Sequence, residues 1–448
     1  MMKSYDLIVI GSGSGGSVTA GKCKKAGWSV AMIDSRPFGG TCALRGCDPK
    51  KVLVGAAELM DWNNRMEGHG IQSEASIDWN ELMKFKKTFT EPVPKKKEES
   101  LNESGIDTYH GKASFVSENE VQVGDETLKG SRILIATGAG PSKLNIEGEE
   151  NFTYSDEFLD LEELPKKIIF VGGGYISFEF AHVAARSGAE VHIVHRGERT
   201  LENFDSDLVD ILMEKSKEIG IQVHLKSSVA SIEKRKEGYT VTATQGEDSF
   251  ELEGDLVVHG AGRRPSLDMD LEKANVEYDK KGVKVNRYLQ SVSNPHVYAA
   301  GDVAATDGLP LTPVAGLESH VVSSNLLKGN EKEVEYPVLP SVVFTVPKIA
   351  TVGLSEREAK ERNPNVKVIH EEVSNWFTYR RTNESHAAIK LLIDEENDLV
   401  VGAHLISNEA DELINHFATA IQFKITTKQL KKMIYAYPTS ASDIAHML

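Results

Sequence analysis

The chain has 448 residues, 40% of them hydrophobic and 26% charged, a globular composition long enough for two to four domains. Lys and Arg number 51 against 67 Asp and Glu, and the formal net charge of -16 argues against nucleic acid as a partner. No apolar run approaches the roughly 20 residues that span a bilayer, and the first strand begins at Tyr5 with no room for a signal peptide, so a cytoplasmic protein without a membrane anchor is expected.

In chain order, Tyr5-Asp-Leu-Ile-Val-Ile10 reads as a β-strand, and Gly11-Ser-Gly13-Ser-Gly-Gly16 follows it at the start of a helical pattern rich in small residues. Glycines at these spacings permit a tight turn and let backbone amides approach a pyrophosphate at the helix N-terminus. Asp34, eighteen residues beyond Gly16, closes the strand Val30-Ala-Met-Ile-Asp34 and is placed to accept bonds from a ribose diol. The alternative is a glycine turn without ligand, which the combination of strand, helix and terminal acid disfavours.

Only three cysteines occur, too few for a disulfide-stapled secreted scaffold. Cys23 is expected to pack as a small apolar residue in the first helix. The other two lie in Gly39-Gly-Thr-Cys42-Ala-Leu-Arg-Gly-Cys47-Asp-Pro-Lys-Lys51, just after the first nucleotide unit, which places them beside its dinucleotide. Five residues along a regular helix rise about 7.5 Å, more than the roughly 5.5 to 6 Å between the α-carbons of a disulfide. A bridge therefore needs a distorted turn, which Gly46 and Pro49 permit. Helix-start amides also lower a thiol pKa from about 8.5 toward neutrality. A metal site is the competing account, but no second pair of ligands lies nearby and no resident metal is expected.

Residues 84–103 form a lysine- and glutamate-rich run expected to solvate a helix face, followed by alternating strands such as Val121-Gln-Val123. Leu164-Pro-Lys-Lys167 reads as a linker into a second nucleotide unit, residues 168–196, with Gly172-Gly-Gly174-Tyr-Ile-Ser177 between strand and helix. Its strand-end acid is missing, because Val194 is followed by His195, Arg196 and then Arg199. An acid there repels a 2′-phosphate whereas arginines pair with one, so NADPH is expected rather than NADH; the alternative is that these arginines are merely exposed. Beyond Gly262-Arg-Arg-Pro265 a strand-like stretch ends in Val297-Tyr-Ala-Ala-Gly-Asp302, and from about Tyr336 the pattern becomes that of an α+β domain.

From about Tyr5 onward these motifs resemble the pyridine nucleotide-disulfide oxidoreductases, the family of glutathione reductase, dihydrolipoamide dehydrogenase and mercuric reductase. The segment from Gly-Gly-Thr-Cys42 through Gly-Cys47-Asp-Pro-Lys-Lys is the most specific part. The resemblance implies an α/β fold of two Rossmann-like dinucleotide-binding domains plus a C-terminal α+β dimerisation domain. The expected boundaries are an FAD-binding domain over 1–145 and 265–335, an NAD(P)H-binding domain over 146–264 and a dimerisation domain over 336–448. FAD would fall to Gly11, Gly13, Gly16, Asp34 and Thr41, with further contacts from Thr137, Gly138, Asp302 and Thr312. The nicotinamide cofactor would fall to Gly172, Gly174, Tyr175, Ile176, Arg196, Arg199 and Gly262, with Tyr175 as an aromatic gate. Lys50 and Glu179 fit the pair that lies beside flavin N5. Electrons are then expected to pass from NADPH through FAD to a Cys42–Cys47 disulfide, with Cys47 held as a thiolate against the flavin and Cys42 facing substrate. The same resemblance implies a homodimer whose active site is shared across the interface.

One departure bears on the acceptor. The family's disulfide reductases use a His-Pro-Thr segment, followed by a glutamate, as acid and base, whereas this chain reads Tyr435-Ala-Tyr437-Pro-Thr-Ser-Ala-Ser442-Asp443. Tyr437 stands at the histidine position and Ser442 at the glutamate's. A phenol with a pKa near 10 shuttles protons poorly at neutral pH, and losing a positioned acid costs about a hundredfold to ten-thousandfold in rate. Mercuric reductase has a tyrosine near that position, but its C-terminal cysteine pair is absent here, since no thiol follows Cys47. The expected reaction is NADPH:acceptor oxidoreduction with an acceptor that needs little acid help: a quinone, a metal ion, a reactive electrophile or an activated disulfide. One rival is a glutathione- or lipoamide-type disulfide reductase in which Tyr437, Asp443 or His446 supplies the proton. Another is a redox-sensing flavoprotein with little turnover. Arg380 and Arg381 fit either an anionic acceptor or a dimer surface.

Overall fold

The structure, a computed structural model, describes residues 2–72 and 75–448, and the chain divides into two compact units. The first comprises Met1–Lys50, Phe85–Ser142 and Gly262–Tyr336. Its centre is a parallel sheet in the order Asp107–His110, Val30–Asp34, Lys3–Ile10, Glu126–Ile135, with Val297–Ala299 also parallel to Glu126–Ile135. Register sets Leu7 opposite both Val30 and Arg132. A parallel sheet covered on both faces needs apolar residues at successive positions, which is why Leu7, Ile8, Val9 and Ile10 are all buried without alternation. Leu7, Val9, Val30 and Met32 pack with Ala20 and Cys23 of the helix Ser14–Lys25 and with Val321 and Val322 of the helix Thr312–Lys328. Cys23 is fully buried there as a small apolar residue. Thr19 Oγ1 donates to the Ser319 carbonyl at 2.8 Å, so a hydrogen bond pins the two helices together as well. The opposite face buries Ile8, Ile10 and Ile33 against Met269 and Val283.

The second unit comprises Lys51–Lys84, Lys143–Ala261 and Pro337–Leu448. Its parallel sheet runs Ile221–His224, Glu190–Val194, Lys167–Val171, Leu256–His259, beside an antiparallel sheet of Ser227–Lys234, Tyr239–Gln245 and Asp248–Gly254. Helix Ser206–Glu218 begins where the Asp205 carboxylate accepts from the amides of Asp207 and Leu208, satisfying donors that a helix start leaves open. The C-terminal segment is a five-stranded antiparallel sheet in the order Ser341–Val343, Lys348–Gly353, Leu399–Ser407, Ala388–Asp394, Lys367–Glu372. Helix Ala410–Gln422 lies against that sheet through Leu413, Ile414 and Phe417. Buried Asp61 accepts from Arg65 Nε at 2.7 Å and Arg186 Nη2 at 2.9 Å, tying the end of the helix Cys47–Arg65 to the end of the helix Tyr175–Arg186. The architecture is thus the α/β arrangement expected from the doubled glycine motif, followed by an α+β segment. Among the described residues no helix is long and apolar enough to cross a membrane.

Candidate active site

In the first nucleotide loop Gly11 has φ +111°, and a Cβ there would lie 2.2 Å from the Ala136 carbonyl oxygen. A Cβ on Gly16 would lie 2.3 Å from the Gly11 oxygen, so both the turn and the close helix–strand packing require glycine. Gly13 is the N-cap of the helix Ser14–Lys25 and brings no side chain to it, leaving a helix start suited to an anion. At the strand end Asp34 Oδ2 accepts from the Ser12 amide at 2.9 Å and the Ser12 hydroxyl at 2.6 Å. The Gly39 amide in turn donates to Ser12 Oγ at 2.9 Å. Ser12 therefore joins the glycine loop to the cysteine segment, a role with no signal in sequence. Gly40, at φ +76°, reinforces that junction, since a Cβ on it would lie 2.5 Å from the Gly13 α-carbon. Thr41 and Cys42 follow directly. Beyond Asp34 opens a cavity of about 590 Å³ lined by Ser35, Arg36, Phe38, Glu98 and His110. These features fit the pyrophosphate and ribose of a dinucleotide. Gly11→Ala is expected to abolish flavin retention, read as flavin released per mole of denatured protein.

Four further predicted positions lie in the same unit. Thr137 Oγ1 donates to the Ser266 carbonyl at 2.9 Å, and Gly138, at φ +66°, accepts from the Ser266 amide. Gly262, at φ +100°, accepts from the Ser142 amide at 3.1 Å. Asp302 sits on a loop pinned by buried Glu318, whose carboxylate accepts from the Gly301 amide at 2.6 Å and the Thr306 hydroxyl at 3.0 Å. Burial raises the Asp302 carboxyl above its ordinary value against the pull of Arg263. Glu318 is a second residue that sequence reasoning missed.

The cysteines lie where helix Gly40–Arg45 breaks at Gly46, with φ -145° and ψ -116°, and a new helix starts at Cys47. This is the distorted turn that the spacing demands. Both are free thiols, with the Cys42 thiol hydrogen-bonded to the Cys47 sulfur. Thr312, the first residue of the helix Thr312–Lys328, brings its Oγ1 to 3.7 Å from Cys47 Sγ. Two helix starts thus meet at one sulfur, where their partial positive charge favours an anion. The bond from Cys42, helped by the Thr312 hydroxyl and the Lys50 charge, lowers the Cys47 thiol to about 6 despite partial desolvation. The same bond, together with desolvation, pushes the Cys42 thiol upward. Cys47 is therefore the more acidic of the two thiols, while the Cys42 thiol also approaches Asp48 Oδ1 at 3.9 Å.

In the second nucleotide loop Gly172 has φ +112°, and a Cβ on it would lie 2.4 Å from the Gly260 oxygen. Gly174 caps the helix Tyr175–Arg186, with Tyr175 exposed and Ile176 half-buried. Arg196 and Arg199 are both exposed. Glu179 is almost fully buried, and its Oε1 accepts from the Phe344 amide at 2.8 Å. Tyr437 is 83% exposed and Ile434 99%. Ser442 is taken up by a turn, where the Thr439 amide donates to its hydroxyl at 3.2 Å and its own amide donates to Thr439 Oγ1 at 3.3 Å. The neighbouring Ser440 hydroxyl bonds Glu409, which Arg381 approaches to 3.9 Å. His446 packs edge-on to Trp376.

Comparison with known proteins bears on the identity of this site. Residues 5–319 match the pyridine nucleotide-disulphide oxidoreductase family, and residues 339–448 match its dimerisation domain. The chain is 33% identical to a glutathione reductase of Burkholderia cepacia over 442 residues, 98% of this chain and 97% of that one. It is 31% identical to a mercuric reductase of Staphylococcus aureus over 446 residues, 98% of this chain and 81% of that one. An uncharacterized 19.7 kDa protein in a mercuric resistance operon of Staphylococcus aureus is 72% identical over 180 residues, 40% of this chain and 100% of that protein. Among solved structures, the Cu(II) complex of the HOCl-induced flavoprotein disulfide reductase RclA from Escherichia coli superposes with a TM-score of 0.89 at 25% identity, covering 100% of this chain and 99% of that one. The chain therefore belongs to the pyridine nucleotide-disulfide oxidoreductases, FAD-dependent enzymes that work with NAD(P)H and a redox-active disulfide.

Proposed function

We propose that the protein is a homodimeric NADPH:acceptor oxidoreductase that loads electrons onto the Cys42–Cys47 couple and passes them to a thiophilic metal ion or a comparable electrophile. The observation that carries this reading is the placement of Cys47, at the start of one helix with its Sγ 3.7 Å from the Thr312 hydroxyl at the start of another, which draws its thiol down to about 6, together with a tyrosine in place of the acid–base histidine. FAD, when bound, supplies the two-electron exchange between a nicotinamide and a disulfide. Gly11, Gly13, Gly16, Asp34 and Thr41 would hold it, with Thr137, Gly138, Asp302 and Thr312. Gly172, Gly174, Tyr175, Ile176 and Gly262 would hold the nicotinamide cofactor. Thr312 and Lys50 stabilise the charge on Cys47, while Cys42 keeps a proton and meets the acceptor.

Proton balance favours a metal ion. Closing a thiolate–thiol pair to a disulfide releases two electrons and one proton, enough to reduce one Hg(II) to Hg(0) or two Cu(II) to Cu(I). Reducing a substrate disulfide to two thiols instead takes up protons, the step a histidine would serve. The relative from a mercuric resistance operon and the Cu(II)-bound structural neighbour support the same acceptor class. Exposure of Ile434 and Tyr437, in the segment that matches the dimerisation domain, supports a dimer in which Tyr437 serves the partner's cysteines. Anaerobically reduced enzyme is expected to be reoxidised faster by Hg(II) or Cu(II) than by quinones or glutathione disulfide. Fast glutathione disulfide turnover would instead favour a disulfide reductase, a reading that the likeness to glutathione reductase supports.

The cofactor preference rests on Arg196 and Arg199. Replacing both with alanine is expected to lower kcat/KM for NADPH by about tenfold or more while leaving NADH little changed, because only NADPH carries the phosphate. Equal losses with the two cofactors would contradict it.

A further inference from the structure

Two arginines explain attraction to a 2′-phosphate but not how the second loop holds its shape without a strand-end acid. The first loop shows the acid's structural role: Asp34 accepts the amide of Ser12, the residue after Gly11. At the corresponding place in the second loop, His195 Nδ1 accepts the amide of Gly173, the residue after Gly172, at 3.0 Å. The other ring nitrogen, Nε2, lies 2.8 Å from the Arg199 carbonyl oxygen. A backbone amide only donates and a carbonyl only accepts, so these partners select a neutral imidazole with its proton on Nε2. Glycines make room on both sides. A Cβ on Gly173 would lie 2.7 Å from His195 Cγ, and one on Gly197 would lie 2.6 Å from its Nε2. Glu198, the acid inside the turn, is paired with Lys226 at 2.8 Å.

We propose that His195 is a positioning residue that sets cofactor specificity: it closes the nicotinamide loop as a neutral acceptor where a carboxylate would repel a 2′-phosphate, and it clamps the turn that carries Arg196 and Arg199. This inference rests on the NADPH reading above and explains how the loop accommodates the phosphate.

The test compares binding of 2′,5′-ADP and 5′-AMP to the FAD-loaded protein by calorimetry, alongside kcat/KM for NADPH and NADH. His195→Asp retains an acceptor for Gly173, as Asp34 does for Ser12, but adds a negative charge and gives up the bond to Arg199. It is expected to weaken 2′,5′-ADP by about tenfold or more with little change in 5′-AMP, and to lower the NADPH/NADH ratio to match. His195→Asn, a neutral acceptor, is expected to recover most of that loss. If His195→Asp does not fold, Gly197→Ala carries the test, since its methyl displaces the ring without changing charge and should also weaken 2′,5′-ADP selectively. Wild-type protein that prefers 2′,5′-ADP, with variants that keep the same preference, overturns the inference alone. An asparagine variant that falls as far as the aspartate variant also overturns it. Wild-type protein that binds 2′,5′-ADP no tighter than 5′-AMP overturns the NADPH reading and the inference with it.

Discussion

Cys47→Ser is expected to lower acceptor reduction by about a thousandfold or more, because a serine hydroxyl neither closes a disulfide with Cys42 nor ionises near neutral pH. In the reduced wild-type enzyme, the rate of Cys47 alkylation should follow an apparent pKa of about 6. The sign follows from the thiolate being the nucleophile: the rate is near its plateau at pH 7, where roughly nine-tenths of such a thiol is ionised, and falls about tenfold for each pH unit below the midpoint. Cys42→Ala removes the largest stabilising contact on that thiolate. The midpoint should then move upward, toward the roughly 8.5 of a free cysteine, and alkylation at pH 7 should slow accordingly. An unmoved midpoint would assign the effect to Thr312 and Lys50 rather than to the sulfur pair.

The second large effect is a gain. Tyr437→His combined with Ser442→Glu is expected to raise kcat/KM for glutathione disulfide by about a hundredfold, the lower end of what a positioned acid contributes. The local structure suits the change, because Ser442 already closes a capping box with Thr439 and glutamate is a usual residue at that third position. Within its own subunit Tyr437 is 83% exposed, so an imidazole at that position displaces no group packed in the same chain. Steady-state assays of the double variant beside the wild type decide the point. An unchanged rate would mean that the shape of the pocket, rather than proton supply, excludes the disulfide.

Much of the fold was legible because its most constrained positions allow few residue types. Gly11 and Gly172 both stand at positive φ with a carbonyl where a Cβ would be, so their identity records the geometry directly. The buried strand around Leu7 reads as a continuous apolar run because both of its faces are covered. The break at Gly46 followed from the reach of a disulfide set against the rise of a helix. What stayed hidden were contacts between distant residues. Thr312 meets Cys47 across 265 positions, and Phe344 meets Glu179 across 165. Ser12 and Glu318 organise their loops with a hydroxyl and a carboxylate that sequence alone gives no reason to single out. His195 showed in the sequence only as a missing acid, although the glycines at 173 and 197 that flank its ring were in view.

The central claim, that electrons from NADPH reach these two sulfurs, is tested most directly by counting alkylated thiols before and after anaerobic reduction of the oxidised enzyme with NADPH. Mass spectrometry should find Cys42 and Cys47 newly labelled only after reduction, with buried Cys23 unlabelled throughout. Labelling of that pair that is the same with and without NADPH would contradict the account.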